Sequence, residues 1–195
     1  MVITLDPEVS PELLTRREQL VTAAARLFAE RGFHGVTVEE LGGAVGISGP
    51  GFYRHFVSKD AVLAEMLIGI SEYLLEQGTE VVNRASSPSK ALEGLLIFHT
   101  DFALTRPELI RVHDRDLANL PSTTARRVRR LQRAYVELWV DVLTDVDPSL
   151  SLEDARTRAH AVFGLLNSTP HIAAARDAVA VAPTLLLMAR AALAV

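Results

Sequence analysis

Three residues able to cap a helix, Thr37, Ser48 and Ser58, stand 11 and 10 residues apart in the stretch TVEELGGAVGISGPGFYRHFVSKD. Each is flanked by apolar residues at the same two offsets: Val36, Ile47 and Val57 one before, and Leu41, Phe52 and Val62 four after. That is the pattern of a hydrophobic staple, which fixes the angle at which a chain enters a helix, and Thr37 with Glu40 adds a capping box. Between the first two caps there is room for one short helix, closed at Gly46, a residue suited to the left-handed conformation that ends helices. A second short helix follows within three residues. Two short helices around a Gly-containing turn of this length predict a helix-turn-helix, whose second helix is the one that enters a DNA major groove.

Residues 1–10 read as an irregular arm, with Ser10 as cap and Pro11 as first residue of an opening helix. Leu13, Arg17, Leu20, Ala24, Leu27, Phe28 and Arg31 then follow helical spacing up to Gly32. This helix and the two short ones predict a three-helix domain with a core of Leu20, Ala24, Leu27, Phe28, Val38, Leu41, Val45, Ile47, Phe52 and Phe56. So small a core is marginal alone and is expected to lean on the segment C-terminal to it. From Lys59 to about Asn83 a long periodic segment places Leu63, Met66, Leu67, Ile70, Leu74 and Val81 on one stripe. Pro, Ser, Thr and Asn then cluster at 86–89, 105–107, 120–124, 145–151 and 167–171, and every segment between has helical period. The fold class is therefore all α, with an N-terminal arm and helix-turn-helix domain over 1–58 and a larger helical effector-binding and dimerisation domain over 59–195.

Composition narrows the partners. With 195 residues and 49% hydrophobic content the chain can bury a sizeable core. A formal charge of −4 argues against a surface coated in basic charge, so any DNA contact must be local. There is no cysteine, which removes disulfide frameworks and zinc-thiolate sites. No stretch reaches the ~18 apolar residues of a membrane span and the first residues lack a signal peptide's pattern, so no membrane role and a cytoplasmic location are expected.

The segment RREQLVTAAARLFAERGFHGVTVEELGGAVGIS followed by FYRHFVSKDAVL resembles the DNA-binding domain of the TetR family of one-component transcription regulators. It covers about a quarter of the chain. The resemblance implies an all-helical homodimer, an N-terminal helix-turn-helix, and a divergent C-terminal domain that binds a small molecule and dimerises mainly through its last two helices. The stretches RVHDRDLANLP and HAVFGLLNSTPH resemble members that control lipid or sterol breakdown and respond to acyl-coenzyme A thioesters. By match to the family motif, Tyr53, His55 and Lys59 hold DNA phosphates. Thr37 and the amino end of its helix are expected to add a phosphate contact.

In the recognition stretch, Ser48 accepts from a first-turn amide, which leaves Gly49, Pro50 and Gly51 to bring the backbone close to a groove wall. Phe52 and Phe56, four apart, are expected in the core, with Tyr53, Arg54, His55 and Lys59 on the outer surface. Arg54 is the candidate base reader, because its fork pairs bidentately with guanine. Glycine at 49 and 51, where relatives often carry longer side chains, predicts thin direct readout and more reliance on DNA shape and backbone. Gly42 and Gly43, costly inside a helix, are expected to allow close packing against the recognition helix.

Phe98, His99, Phe102, His113, Tyr135, Trp139, Phe163 and Asn167 have the composition of an effector pocket, mostly apolar with a few placed polar groups. For His99 and His113 the alternative is a hydrogen-bonded core residue. No metal site is expected, since Asp114 and Asp116 should point away from His113 on a helix. Arg126, Arg127, Arg129, Arg130 and Arg133 share one side of a helix whose other side is apolar, which makes a solvated basic face or, alternatively, a holder for coenzyme A phosphates.

From Thr184 to Val195 only Arg190 is charged, so this terminal helix must be covered. Ala159 to Leu166 is its natural partner, and two such pairs would form the four-helix interface of an isologous homodimer, with burial inside one subunit as the alternative. A two-fold dimer sets its recognition helices about 34 Å or a multiple apart and predicts a palindromic double-stranded operator. The expected function is a repressor released by an apolar or acyl-CoA-like small-molecule effector. A helical lipid carrier without DNA function is the alternative. No GxSxG, HExxH or Walker sequence is present, so neither enzymatic activity nor a cofactor is expected.

Overall fold

The computed structural model describes residues 14–172 and 178–193, and the described residues that form regular structure are helical. They run α1 Arg16–Arg31, α2 Val38–Ala44, α3 Gly49–Phe52, α4 Lys59–Arg84, α5 Pro88–Thr105, α6 Pro107–Asp116, a 3-10 turn at Leu117–Asn119, α7 Ser122–Val146, α8 Leu152–Leu166, α9 Thr169–Ile172 and α10 Ala178–Leu193. The all-helical class expected from the periodicity is therefore the one observed. The chain divides into two compact units, one of residues 1–73 with 111–129 and the other of 74–110 with 130–195.

In the first unit, α1 starts later than the sequence suggested. Thr15, not Ser10, is its cap: the Thr15 hydroxyl accepts from the Glu18 amide and the Glu18 carboxylate accepts from the Thr15 amide. This Thr-x-x-Glu box satisfies two orphan donors reciprocally. Ser10 and Pro11 themselves lie outside the described residues. The helix ends at Gly32, whose φ of 81° falls in the left-handed region.

Leu20, Ala24, Phe28, Leu41, Phe52 and Phe56 are buried as expected, and Phe33, Val36, Val62, Leu63, Met66 and Leu67 complete this core. Leu27, Val38, Val45 and Ile47 are only half-buried. Arg17 holds the group together. Its Nε donates to both Glu65 oxygens, its Nη1 donates to the His55 carbonyl, and its guanidinium lies 3.9 Å from the Phe56 ring centroid. Residues 111–129 add Val112, Leu120, Ala125 and Val128 to the buried set. The marginal three-helix core is thus enlarged by the start of α4 and by a segment distant in sequence.

In the second unit, Ser87 caps α5 and Ser151 caps α8, with Pro88 in the first turn of α5. Helix α10 packs on α8 and α5. The core is built from Leu92, Leu95, Leu96, Trp139, Val140, Leu143, Val162, Leu166, Leu185 and Ala189. The end of α10 is tied down by Arg190 pairing with Glu93 and by Arg158 Nη1 donating to the Leu193 carbonyl at 2.8 Å. The other face of α10 is bare and apolar: Leu187 is 67% and Met188 49% exposed, and Ala191 and Ala192 are exposed beside them.

Candidate nucleic-acid interface and effector site

The recognition segment is built on its caps. The Thr37 hydroxyl accepts from the Glu40 amide at 3.2 Å, and the Ser48 hydroxyl accepts from the Gly51 amide at 3.2 Å. Ser58 likewise accepts from Ala61 at 3.2 Å, so the three caps read from the sequence each open a helix. Gly46 takes φ 73° in the turn between α2 and α3. A Cβ on Gly42 would sit 2.8 Å from the Ile47 carbonyl oxygen, so glycine there lets α2 close on the turn that leads into α3, rather than on α3 itself. Gly43 differs. A Cβ there would meet nothing within 4 Å, and close packing does not account for it.

Helix α3 is a single regular turn, shorter than the segment to Phe56 suggested, because two of its four residues are glycine. Its winding nonetheless carries on: the amides of Arg54, His55 and Phe56 donate to the carbonyls of Gly51, Phe52 and Phe52. This continuation turns Phe52 and Phe56 into the core and leaves Tyr53, 57% exposed, and Arg54 outside. The Tyr53 ring stands edge-on to Phe52, with centroids 5.5 Å apart and planes at 87°. This pairing sets one ring, Phe52, in the core and the other, Tyr53, at the surface.

Two of the candidate phosphate contacts have internal partners. Lys59 Nζ donates to the carbonyls of Phe33 and Val36 at 2.7 Å each and lies 4.4 Å from the Phe33 ring centroid. An ammonium has three donors, so one is left for an outside acceptor. The Thr37 amide donates to Glu40 Oε2 at 2.8 Å. That bond, followed by the Thr37 hydroxyl and the Arg31 charge, holds the Glu40 carboxyl below the usual range. His55 is half-buried, and its carbonyl accepts from Arg17. A Cβ on Gly49 would lie 3.4 Å from Glu39 Oε1, and one on Gly51 3.3 Å from Ile47 Cβ. Pro50 sits exposed in the first turn.

Seven of the eight candidate pocket residues fall in the second unit and one does not. His113 belongs to the first unit, its Nδ1 3.2 Å from Asp114 Oδ1, a neighbour expected to point away from it. In the second unit, His99, Tyr135, Trp139 and Phe163 pack as mutual ring contacts. His99 lies 4.9 Å from Phe163 and 5.8 Å from Tyr135, and Trp139 lies 5.0 Å from Phe163. Phe102 joins through His99 at 6.1 Å. Phe98, Phe163 and Asn167 are half-buried. Gly78 is a contributor that periodicity did not single out: a Cβ there would come within 2.6 Å of the Tyr135 ring, so glycine lets α4 approach it.

Both nitrogens of His99 are engaged, Nδ1 with Tyr135 Oη at 3.3 Å and Nε2 with Asn167 Oδ1 at 3.0 Å. With Asn167 presenting its oxygen, Nε2 carries the proton and Nδ1 accepts from the tyrosine. Burial pushes the imidazole down to about 4, against the opposing bond to Asn167, so it is neutral at pH 7. The hydrogen-bonded core reading of this histidine is thus met. Trp139 Nε1 and Thr100 Oγ1 are buried without a hydrogen-bond partner among the described residues. On α7 the arginines at 126, 127, 129, 130 and 133 are exposed, while Tyr135 and Trp139 are buried on the opposite side. No helix among the described residues is long and apolar enough to cross a membrane.

Comparison with known proteins places this arrangement. Residues 20–66 match the family of bacterial regulatory proteins, tetR family, and residues 85–171 match the tetracyclin repressor-like C-terminal domain. The transcriptional repressor KstR2 of Mycobacterium tuberculosis is 29% identical over 143 residues, spanning 69% of this chain and 68% of its own. Its structure, that of a ketosteroid transcriptional regulator, superposes with a TM-score of 0.73 at 22% identity, over 90% of this chain and 93% of that one. A TetR-family regulator from Bordetella parapertussis gives 0.80 at 22% identity, over 89% and 93%. AibR, in complex with isovaleryl coenzyme A and operator DNA, gives 0.76 at 16% identity, over 89% and 97%. With both halves matched, the chain belongs to the TetR family of DNA-binding transcriptional regulators.

Proposed function

We propose that this regulator is a homodimeric repressor that binds a palindromic operator through residues 37–59 and is released by a small apolar or acyl-CoA-like effector held in its second unit. The observation that carries the DNA assignment is the division of one short segment, with Phe52 and Phe56 in the core and Tyr53 and Arg54 outside. In the proposed roles, Arg54 reads a base edge, since a guanidinium fork matches guanine bidentately. Tyr53, His55 and the remaining Lys59 proton hold phosphates, and Thr37, Ser48, Gly49, Pro50 and Gly51 shape the backbone that lies against the groove. Glycine at 49 and 51 supplies no side chain to read with, so DNA shape carries part of the specificity.

Dimerisation through α8 and α10 is supported by the bare Leu187 and Met188 face. Two-fold symmetry then sets the two recognition segments about 34 Å or a multiple apart. The effector site is assigned to the aromatic group around His99, Phe102, Tyr135, Trp139, Phe163 and Asn167, with Phe98 at its edge. His113, in the other unit, is assigned no part in it. An effector acts only by binding the released form more tightly than the DNA-bound form. The test is selection of genomic fragments by the purified dimer in moderate salt. Enrichment of one palindromic motif supports the reading, and enrichment of none by a folded dimer overturns it.

A further inference from the structure

The chain holds one tryptophan, Trp139, and its indole is fully buried with Nε1 finding no acceptor among the described residues. Indole nitrogen only donates, so nothing but an acceptor can satisfy it. The polar groups around it already serve one another: Tyr135 Oη meets His99 Nδ1, and His99 Nε2 meets Asn167 Oδ1. The core to which it belongs, with Leu95, Leu96, Leu143 and Val162, is apolar. Among the described residues, the buried side chains of this unit include no Asp, Glu, Lys or Arg. A carboxylate brought here would stay uncompensated, whereas a carbonyl brings an acceptor and no donor that would itself need a partner.

We infer that the indole N–H of Trp139 anchors an uncharged carbonyl oxygen, of a ketone, ester or thioester, on the apolar body of the effector. This rests on the effector-site assignment under the proposed function and adds the chemistry of the group that enters. Of the rings around the indole, Phe163, 5.0 Å from it, is half-buried. His99 keeps its two bonds and serves as a fixed part of the wall, so the selecting contact is the tryptophan.

A chain with one tryptophan gives one indole correlation in a 15N–1H spectrum, which makes the full-length protein its own probe. The ligands to titrate are 2-hexanone, hexane, hexanoate and hexanoyl-CoA. A saturable downfield shift of the indole proton is expected with a carbonyl probe, none with hexane, and none with hexanoate. A shift with 2-hexanone alone identifies a free carbonyl compound as the source, and one with hexanoyl-CoA alone identifies the coenzyme A thioester. The preference for 2-hexanone or hexanoyl-CoA over hexane is expected to be about tenfold from the added hydrogen bond, and to vanish in Trp139→Phe. The wild-type shift stands as a test even where that variant fails to fold. An indole proton unmoved by both carbonyl probes, or a preference that survives Trp139→Phe, overturns the anchor. No DNA enters this measurement. A protein that enriches an operator yet leaves the indole unmoved loses the anchor alone, whereas one that enriches none loses the regulator reading.

Discussion

Arg115 Nη2 donates to the backbone carbonyl of Phe28, joining the end of α6 to the last turn of α1 across 87 residues of sequence. Nη1 of the same guanidinium reaches the Ala29 carbonyl at 3.4 Å, so a cation sits on the carbonyl end of the helix, where the helix dipole favours it. Asp116, 3% exposed, grips the guanidinium at 2.9 and 3.1 Å and lies 3.5 Å from the Phe33 amide. The bond to Asp116, outweighing partial burial, raises the Arg115 pKa above its usual value. His34 Nε2 and Asn119 Oδ1, 2.9 Å apart, add a second tie. The exit from α1 into the helix-turn-helix is therefore fixed by residues far outside it.

Replacing either member of that pair should loosen this exit. Arg115→Ala is expected to destabilise the first unit by about 2–3 kcal/mol, because it leaves the buried Asp116 carboxylate without its cation, and Asp116→Ala by about 1–2 kcal/mol, because the Arg115 guanidinium it leaves is exposed. Urea unfolding measures the loss, and faster hydrogen exchange at the Phe33 amide would place it. Unchanged exchange at Phe33 in both variants would contradict the clamp.

Gly42 and Gly43 are adjacent in α2 and should respond in opposite directions. Gly42→Ala would drive a methyl against the Ile47 carbonyl, a backbone atom that cannot swing aside, at an expected cost of about 1–3 kcal/mol. Gly43→Ala meets open space and should stabilise by about 0.5–1 kcal/mol through helix propensity. Thermal melts of the two variants check this, and equal shifts of one sign would refute it.

Much of this architecture was legible in the chain because local rules carry it. Caps and staples marked where α2 to α4 begin, clusters of Pro, Ser, Thr and Asn marked the breaks before α5 to α8, and the spacing of Phe52 and Phe56 marked which rings face the core. What was not legible depends on partners distant in sequence. Lys59 reads as an exposed phosphate contact until the Phe33 and Val36 carbonyls come within 2.7 Å of its ammonium. His113 has the spacing of a pocket residue, yet the chain path puts it in the other unit from His99. Arg115 and Asp116 read as ordinary surface charges, since no local pattern announces that they cap another helix. Gly78 matters through Tyr135 and Leu138, 57 and 60 residues away.

His99 makes stability depend on pH with a defined sign. Its folded value near 4 lies below the ordinary histidine value of 6.5, so the unfolded chain binds the proton first as pH falls. Stability from this residue is full above about pH 6.5 and declines from there toward pH 4, by roughly 3 kcal/mol in all. Urea unfolding between pH 7.5 and 4.5 should show the decline in the wild type, and His99→Gln should flatten that part of the profile. A wild-type slope that persists unchanged in the variant would assign the effect to other groups.

The exposed face of α10 bears on assembly. Leu187→Glu is expected to convert the proposed dimer to monomer in sedimentation velocity, because it would place a carboxylate in the proposed apolar interface. Operator affinity should fall with it, since each half-site is then bound separately. A dimer of unchanged strength would place the interface elsewhere.

The most direct test of the DNA reading is fluorescence anisotropy with the selected operator and with a scrambled duplex, across several salt concentrations, for wild type, Tyr53→Ala and Arg54→Ala. Arg54→Ala is expected to weaken binding to the operator by about 10–100-fold while leaving the scrambled duplex nearly untouched. Tyr53→Ala should weaken both alike. Equal operator affinity in all three proteins, with folded dimers confirmed, would contradict the assignment of this segment to DNA.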